Sequence, residues 1–251
     1  MNRFLLTIKY DGTAYCGWQV QPNAVSVQST VQNALIELLG EPDLGVTGCS
    51  RTDSGVHANM FCLHFDSDTN IPPDRLPYAL NIKLPDDISA VDCRIVPDDF
   101  HARYSSSGKT YIYKIYNSPL PDPFKNKYYL QVGRKIDVEL LDKACKCFIG
   151  TYDFKGFCSV GSSVVDTVRT VTDCHAERQG DDVLISITAN GFLYNMVRII
   201  VGTVLEVDRG AISVDGLPEI IRSCDREKAG PTAKAHGLYL EKVHYALLNG
   251  E

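Results

Sequence analysis

Three stretches of this 251-residue chain place polar groups capable of chemistry beside apolar surroundings. The first is Arg51-Thr52-Asp53-Ser54-Gly55-Val56-His57-Ala58, where a carboxylate stands two residues after a guanidinium and a glycine two residues after the carboxylate. Apolar Met60-Phe61-Cys62-Leu63 follows and reads as the start of a buried strand. Charges beside such a strand need a partner or a task. Asp53 can cap a backbone turn while Arg51 is solvated or ion-paired at the surface. Alternatively, Asp53 is a carboxylate held to attack an electrophilic carbon or to take up a proton. The second stretch is Met196-Val197-Arg198-Ile199-Ile200-Val201-Gly202, apolar except for Arg198. Asn195, Arg198 and Gly202 fall on one helical stripe, and Gly202 leaves room for another segment. A guanidinium buried there needs an anionic partner unless it snorkels to the surface. The third is Lys109-Thr110-Tyr111-Ile112-Tyr113-Lys114-Ile115-Tyr116-Asn117, a strand by its β-branched and aromatic content. Tyr111 and Tyr113 share parity and hence a face, and spacing does not choose between them.

These residues need elements to hold them. Residues 3–10 read as a strand, and Asp11-Gly12 as a turn. Ser26 caps a helix over 27–39, with Val27, Val31, Leu35 and Leu38 at helical spacing and Gly40 as its stop. The Asp53 loop leads into a strand near 60–66. A short helix near 74–81 follows the prolines at 72 and 73, then a strand over 91–97. Ser105-Ser106-Ser107-Gly108 breaks the pattern, which places the boundary between halves there: 1–105 and 106–251. In the second half Asp137 caps a helix over 138–149 with Gly150 after its end. Strands over 168–178 and 182–189 join at Gln179-Gly180-Asp181, helices follow over 192–206 and 214–224, and a strand near 238–247 closes the chain. Each half runs strands, helix, strands, which predicts an α+β fold with sheets covered by helices on one face.

Composition narrows the function. The chain is 44% hydrophobic and 22% charged, ordinary for a globular protein, and no apolar run approaches the ~20 residues of a membrane span. The first ten residues enter a strand pattern without the apolar region and cleavage site of a signal peptide, so a cytoplasmic protein and no membrane partner are expected. The nine cysteines lie mostly in apolar segments and read as small buried hydrophobes in a reducing compartment. Cys145-Lys146-Cys147 is the only close pair, so no metal site is expected. There is no Walker loop and no Gly-x-Gly-x-x-Gly, so no nucleotide cofactor is expected either. A net charge of −6 argues against nucleic acid as a partner, but basic residues can be local. Residues 124–135 hold four basic residues, three aromatics and no acid; His101, Arg103, Lys109 and Lys114 form a second group. Each reads equally as a solvated face.

The residues of the Asp53 loop closely resemble the active-site motif of the tRNA pseudouridine synthase A family, which modifies the anticodon stem-loop. Further motifs follow in family order. Tyr10-Asp11-Gly12-Thr13 with Tyr15-Cys16-Gly17-Trp18-Gln19 looks like the N-terminal signature, and Pro97-Asp98-Asp99-Phe100-His101-Ala102-Arg103 like the segment joining the halves. Lys109–Tyr113 is similar to the tyrosine strand, and Gly150-Thr151-Tyr152-Asp153-Phe154 more loosely to a helix-to-loop signature. Asn190–Arg198 and Thr232–Leu240 complete the set, so the resemblance covers residues 10 to 240. It departs at Ser50 and Ser54, where glycine and alanine are frequent.

The resemblance implies two similar α/β subdomains around a central antiparallel sheet, helices on the outer face and an active cleft between them. It implies isomerisation of tRNA uridines 38, 39 and 40 to pseudouridine by a homodimer with no cofactor or metal. Asp53 would be the catalytic carboxylate, and Arg51 would hold the flipped nucleotide out of the stack. Tyr111 would stack on the uracil or join in proton transfer, Arg198 would pair with Asp53 and keep it ionised, and Leu238 would pack on the base. Leu238 reads equally as a core leucine. His57 would shape the loop or contact phosphate, and Lys125 and Lys127 are candidate contacts to the tRNA. Competing readings are a synthase for other RNA uridines, a non-catalytic RNA-binding module, and a carboxylate-dependent glycosidase. The last would need a second carboxylate, and nothing ties Asp66 or Asp68 to Asp53.

Overall fold

A computed structural model describes residues 1–161 and 164–246. The chain forms two compact units, one of residues 1–107 with the C-terminal segment from Leu240, the other Gly108–Tyr239. The division is therefore not a single cut, because the end of the chain returns to the first unit. Ten strands and five α-helices among the described residues make an α+β fold.

In the first unit β1 (Asn2–Tyr10) and α1 (Val27–Leu39) are followed by β2 (Thr47–Gly48), β3 (His57–Ser67), α2 (Leu76–Asn81) and β4 (Ile88–Val96). β1 pairs antiparallel with β3 on one side and β4 on the other. Phe4 through Ile8 are all buried, so both faces of this strand are covered. The limits of α1 follow from local chemistry. The Ser26 side chain accepts from Ser29 N–H, the Ser29 hydroxyl accepts from Ser26 N–H, and Gly40 ends the helix in the left-handed region at φ 71°. Its buried stripe is Val27, Val31, Ala34 and Leu35.

The segment after β4 is tied to the sheet. Arg3 makes a two-pronged pair with Asp66, at 2.7 Å on each side, and its third nitrogen donates to Phe100 O at 2.9 Å. Buried His64 accepts the Ala102 N–H on Nδ1 at 3.1 Å. Burial first, and then the positive charge of Arg3, lowers the pKa of His64 to about 4. Its folded pKa thus lies below the ordinary value, and between the two the unfolded chain holds the extra proton. Stability is expected to fall as pH drops from about 6.5 towards 4, by roughly 2–3 kcal/mol at completion. Urea midpoints recorded from pH 7 to 4.5 should show this slope, and His64→Asn, which accepts the same hydrogen bond without titrating, should lack that part of it.

In the second unit come β5 (Gly108–Tyr116), β6 (Leu130–Gln131), α3 (Val138–Lys146), β7 (Gly150–Asp153), β8 (Val168–Gln179), β9 (Asp182–Ala189), α4 (Met196–Asp208) and α5 (Leu217–Ser223). The order is β5-β9-β8-β7, all antiparallel, while β6 joins β5 in a short parallel pair. That pair makes the sheet mixed where an antiparallel one was expected. β10 (Leu238–His244) closes the described elements, and its residues from Leu240 lie in the first unit beside β3. The expected strand end at 247 lies outside the described residues.

Two expected helix ends move. α3 stops at Lys146, and Phe148, placed on its last turn by spacing, is buried in the turn that follows. Gly150, expected as the helix stop, opens β7 at φ 138°. α4 begins at Met196 instead of 192 because Asn195 adopts the left-handed conformation at φ 61°, which a continuing helix does not allow. No helix among the described residues is long and apolar enough to cross a membrane.

Candidate active site

The loop carrying Asp53 lies on residues 10–18 of its own unit. On its N-terminal side, the Tyr10 hydroxyl bonds Thr52 Oγ1 at 2.8 Å and the Trp18 N–H donates to Thr52 O at 3.1 Å. On its C-terminal side, Gly55 N–H and the Ser54 hydroxyl both donate to Tyr15 O, at 3.3 and 3.2 Å. Two glycines make this approach possible. A Cβ on Gly12 would sit 2.0 Å from Val56 O, and one on Gly17 would sit 2.3 Å from Thr52 O. Gly17 also has φ 83°, a region that favours glycine. Asp53 is half-buried at the centre of this seat, with its backbone carbonyl closing the turn to Val56 N–H at 3.2 Å.

His57 is beneath the loop. Its side chain is 2% exposed, so the phosphate contact considered for it is not open to it in this arrangement. Its Nδ1 accepts the Gly12 N–H at 3.1 Å and lies 3.1 Å from Asp11 Oδ1, which ties the loop to the turn at 11–14. Arg51, at the other end, is exposed.

Tyr111, Arg198 and Leu238 belong to the second unit. The two tyrosines of β5 differ in what they can do. Tyr113 is fully buried, and its hydroxyl donates to Lys234 O at 2.8 Å. Burial raises its pKa above the ordinary tyrosine range, with the charge of Arg198 opposing. Tyr111 retains 6% exposure and packs edge-on against Phe192, with ring centres 5.0 Å apart. Tyr113 is thus committed to the 234 backbone.

Arg198 sits in the first turn of α4, half-buried. Its Nε donates to Ala233 O at 2.7 Å and its Nη1 to Asn195 Oδ1 at 2.6 Å, while its own backbone O accepts from Ala233 N–H at 3.0 Å. Neutral acceptors therefore hold two of its donors. The Asn195–Arg198–Gly202 stripe is present, and Gly202 does admit a neighbour: a Cβ there would lie 1.7 Å from Pro231 O. Gly202→Ala must push residues 230–233 away from α4. It is expected to lower stability by about 1–3 kcal/mol, in the range of overpacked cores. Thermal unfolding measures this loss, and an unchanged midpoint would contradict the packing. Leu238 is 5% exposed, and Gly237 before it lies where a Cβ would meet the Tyr113 ring at 2.8 Å. The tyrosine strand, the Arg198 helix and residues 231–238 thus form one packed group.

A family model described as tRNA pseudouridine synthase matches residues 6–105 and 144–246. The chain belongs to the tRNA pseudouridine synthase family. Relatives agree over the whole length. A tRNA pseudouridine synthase A of Acetivibrio thermocellus is 48% identical over 245 residues, 98% of this chain and 100% of the relative. Proteins of Ruminiclostridium cellulolyticum (tRNA pseudouridine synthase A) and Clostridium perfringens (tRNA pseudouridine synthase A 2) are 47% and 46% identical, each with the same two coverages. As a pseudouridine synthase, the chain is an isomerase acting on tRNA.

The basic candidates of this synthase fare unequally. Lys125 Nζ pairs with Asp182 Oδ1 at 2.5 Å and lies over the rings of Tyr116 and Tyr129, at 4.6 and 4.9 Å. Burial pulls its pKa down, but the Asp182 hydrogen bond and charge leave it above the ordinary lysine value. Binding RNA through Lys125 would mean breaking that pair. Lys127 is exposed. Among the described residues no three His, Cys, Asp or Glu side chains are grouped to hold a metal ion. Sequence reasoning missed how Thr52, Tyr15 and Trp18 fasten the loop. The paired Gly12 and Gly17 were its one visible trace.

Proposed function

We propose that this enzyme converts uridines 38, 39 and 40 of the tRNA anticodon stem-loop to pseudouridine, as a cytoplasmic homodimer without cofactor or metal. The bond from ribose C1′ to uracil N1 breaks, the base turns, and C1′ joins C5. C5 gives up a proton and N1 gains one, so product and substrate are isomers. Asp53 supplies the carboxylate, either by attacking C1′ or by accepting a proton from the ribose. Arg51 holds the nucleotide out of its stack, Tyr111 stacks on the uracil, Leu238 packs against it, and Arg198 keeps the carboxylate ionised. The observation that carries this reading is the seat of the Asp53 loop. Family motifs some 40 residues apart meet there, through glycines that let backbone touch backbone. Tyr111 is taken as the tyrosine for the substrate on the motif register alone, while Tyr113 is bound through its hydroxyl to Lys234 O.

The test is an unmodified tRNA transcript incubated with the purified protein in EDTA. Pseudouridine is then mapped by carbodiimide-dependent reverse-transcription stops. Stops at 38–40 support the full reading. Stops elsewhere would replace it by a synthase of other specificity. Binding with no stops would leave an RNA-binding module.

A further inference from the structure

The backbone of the loop between β5 and β6 is heavily restrained, yet it carries an exposed aromatic at its tip. At its base the Asn117 side-chain amide donates to Val132 O and Arg134 O, at 2.9 and 2.6 Å, and its Oδ1 accepts from Ile136 N–H at 3.1 Å. Pro119, Pro121 and Pro123 stiffen the ascending side by fixing φ. Asp122 Oδ1 accepts from Phe124 N–H at 2.9 Å, and Asp122 O accepts from Lys125 and Asn126 N–H at 3.0 and 3.2 Å. Lys125 pins the turn from within through Asp182, Tyr116 and Tyr129. What these restraints present is Phe124, 86% exposed, with Lys127 exposed three residues on. A single exposed aromatic is unremarkable. This one stands on a backbone held in place, three residues before an exposed lysine, in the 124–135 stretch without an acid, on a chain whose net charge is −6.

We propose that Phe124 is a stacking platform for an unpaired base of the tRNA substrate, with Lys127 on a neighbouring phosphate. The proposal rests on the tRNA reading above. A base has a π-face whatever its identity, and a backbone already held in place loses little freedom when the base arrives. Lys125, a candidate contact alongside Lys127 in the sequence, instead builds the platform. The loop lies in residues 106–143, outside the family-model match.

The variants are Phe124→Ala, Phe124→Leu, Phe124→Trp and Lys127→Ala in the full-length protein, with circular dichroism as the check on folding. For an unmodified tRNA transcript, Phe124→Ala and Phe124→Leu are both expected to raise Kd by about 5- to 150-fold, the range of one lost base stack. Phe124→Trp is expected to stay near wild type. Lys127→Ala should reduce the slope of log Kd against log salt by about 0.7, one single-strand phosphate contact. Trp18, the sole native tryptophan, is 3% exposed, so emission gained in Phe124→Trp reports the new ring, and added tRNA should quench it. Unchanged Kd in Phe124→Ala overturns the proposal, as does Phe124→Leu binding like wild type, which would mean bulk and not stacking. A variant that alters oligomeric state while Kd holds assigns the loop to protein contact and likewise overturns it. Wild-type protein that fails to bind tRNA at all would instead sink the functional reading.

Discussion

Asp53→Asn is expected to abolish isomerisation, lowering the single-turnover rate by at least about 10⁴-fold, the scale seen when a group acting directly on the reacting atoms is removed. The substitution conserves shape, and Asp53 is half-buried, so the loop should keep its fastenings at Thr52, Tyr15 and Gly12. tRNA affinity should change by less than about threefold, since uniform binding does not depend on the reacting group. Asp53→Glu sharpens the argument. It retains the charge and advances the carboxylate by one methylene, and misplacement on the order of 1 Å can cost about 10²-fold. Single-turnover assays with a uridine-containing transcript read both. More than about one per cent of wild-type rate in Asp53→Asn would remove Asp53 from the chemistry.

Gly17→Ala should produce the second-largest effect, through geometry alone. The new methyl would lie 2.3 Å from Thr52 O and 3.1 Å from the Asp53 carbonyl carbon, both backbone atoms, at φ 83°. Because the backbone must yield, the Asp53 turn moves. We expect kcat to fall about 10²-fold with tRNA affinity nearly preserved, and stability to drop by about 2–3 kcal/mol from clash and left-handed strain together. Gly40→Ala provides the control. Gly40 also has positive φ, at 71°, but no neighbour lies within 4 Å of its would-be Cβ. Only the strain of about 1–2 kcal/mol should appear there, without loss of rate. Equal kcat in the two variants would show that the seat does not govern the position of Asp53.

The elements of this protein were largely legible from local signals, and the candidate site was legible as a set of motifs but not in its construction. Ser26 and Gly40 bracket α1 because capping groups act on backbone one to four residues away. The alternation of β9 and the glycine turn that leads into it from β8 are likewise local. The Asp53 motif stood out through its exact residues and their resemblance to a family. Where sequence reading slipped, a longer-range contact had decided. Asn195 leaves the helical region while its side chain binds Arg198 and Ser159. Phe148 is buried beyond the helix, packed edge-on against Phe157 at 5.2 Å. Tyr111 and Tyr113 are indistinguishable by parity, and it takes the fold to bring the backbone at Lys234, 121 residues away, onto the Tyr113 hydroxyl. The charge of Lys125 reads as available until Asp182, 57 residues away, is placed beside it. Sequence by itself determined which groups the chain carries and which short segments curl or extend, since those depend on neighbours along the backbone. Only tertiary structure decided which of those groups are engaged in holding the fold, because a hydrogen bond or ion pair is assigned by proximity in space.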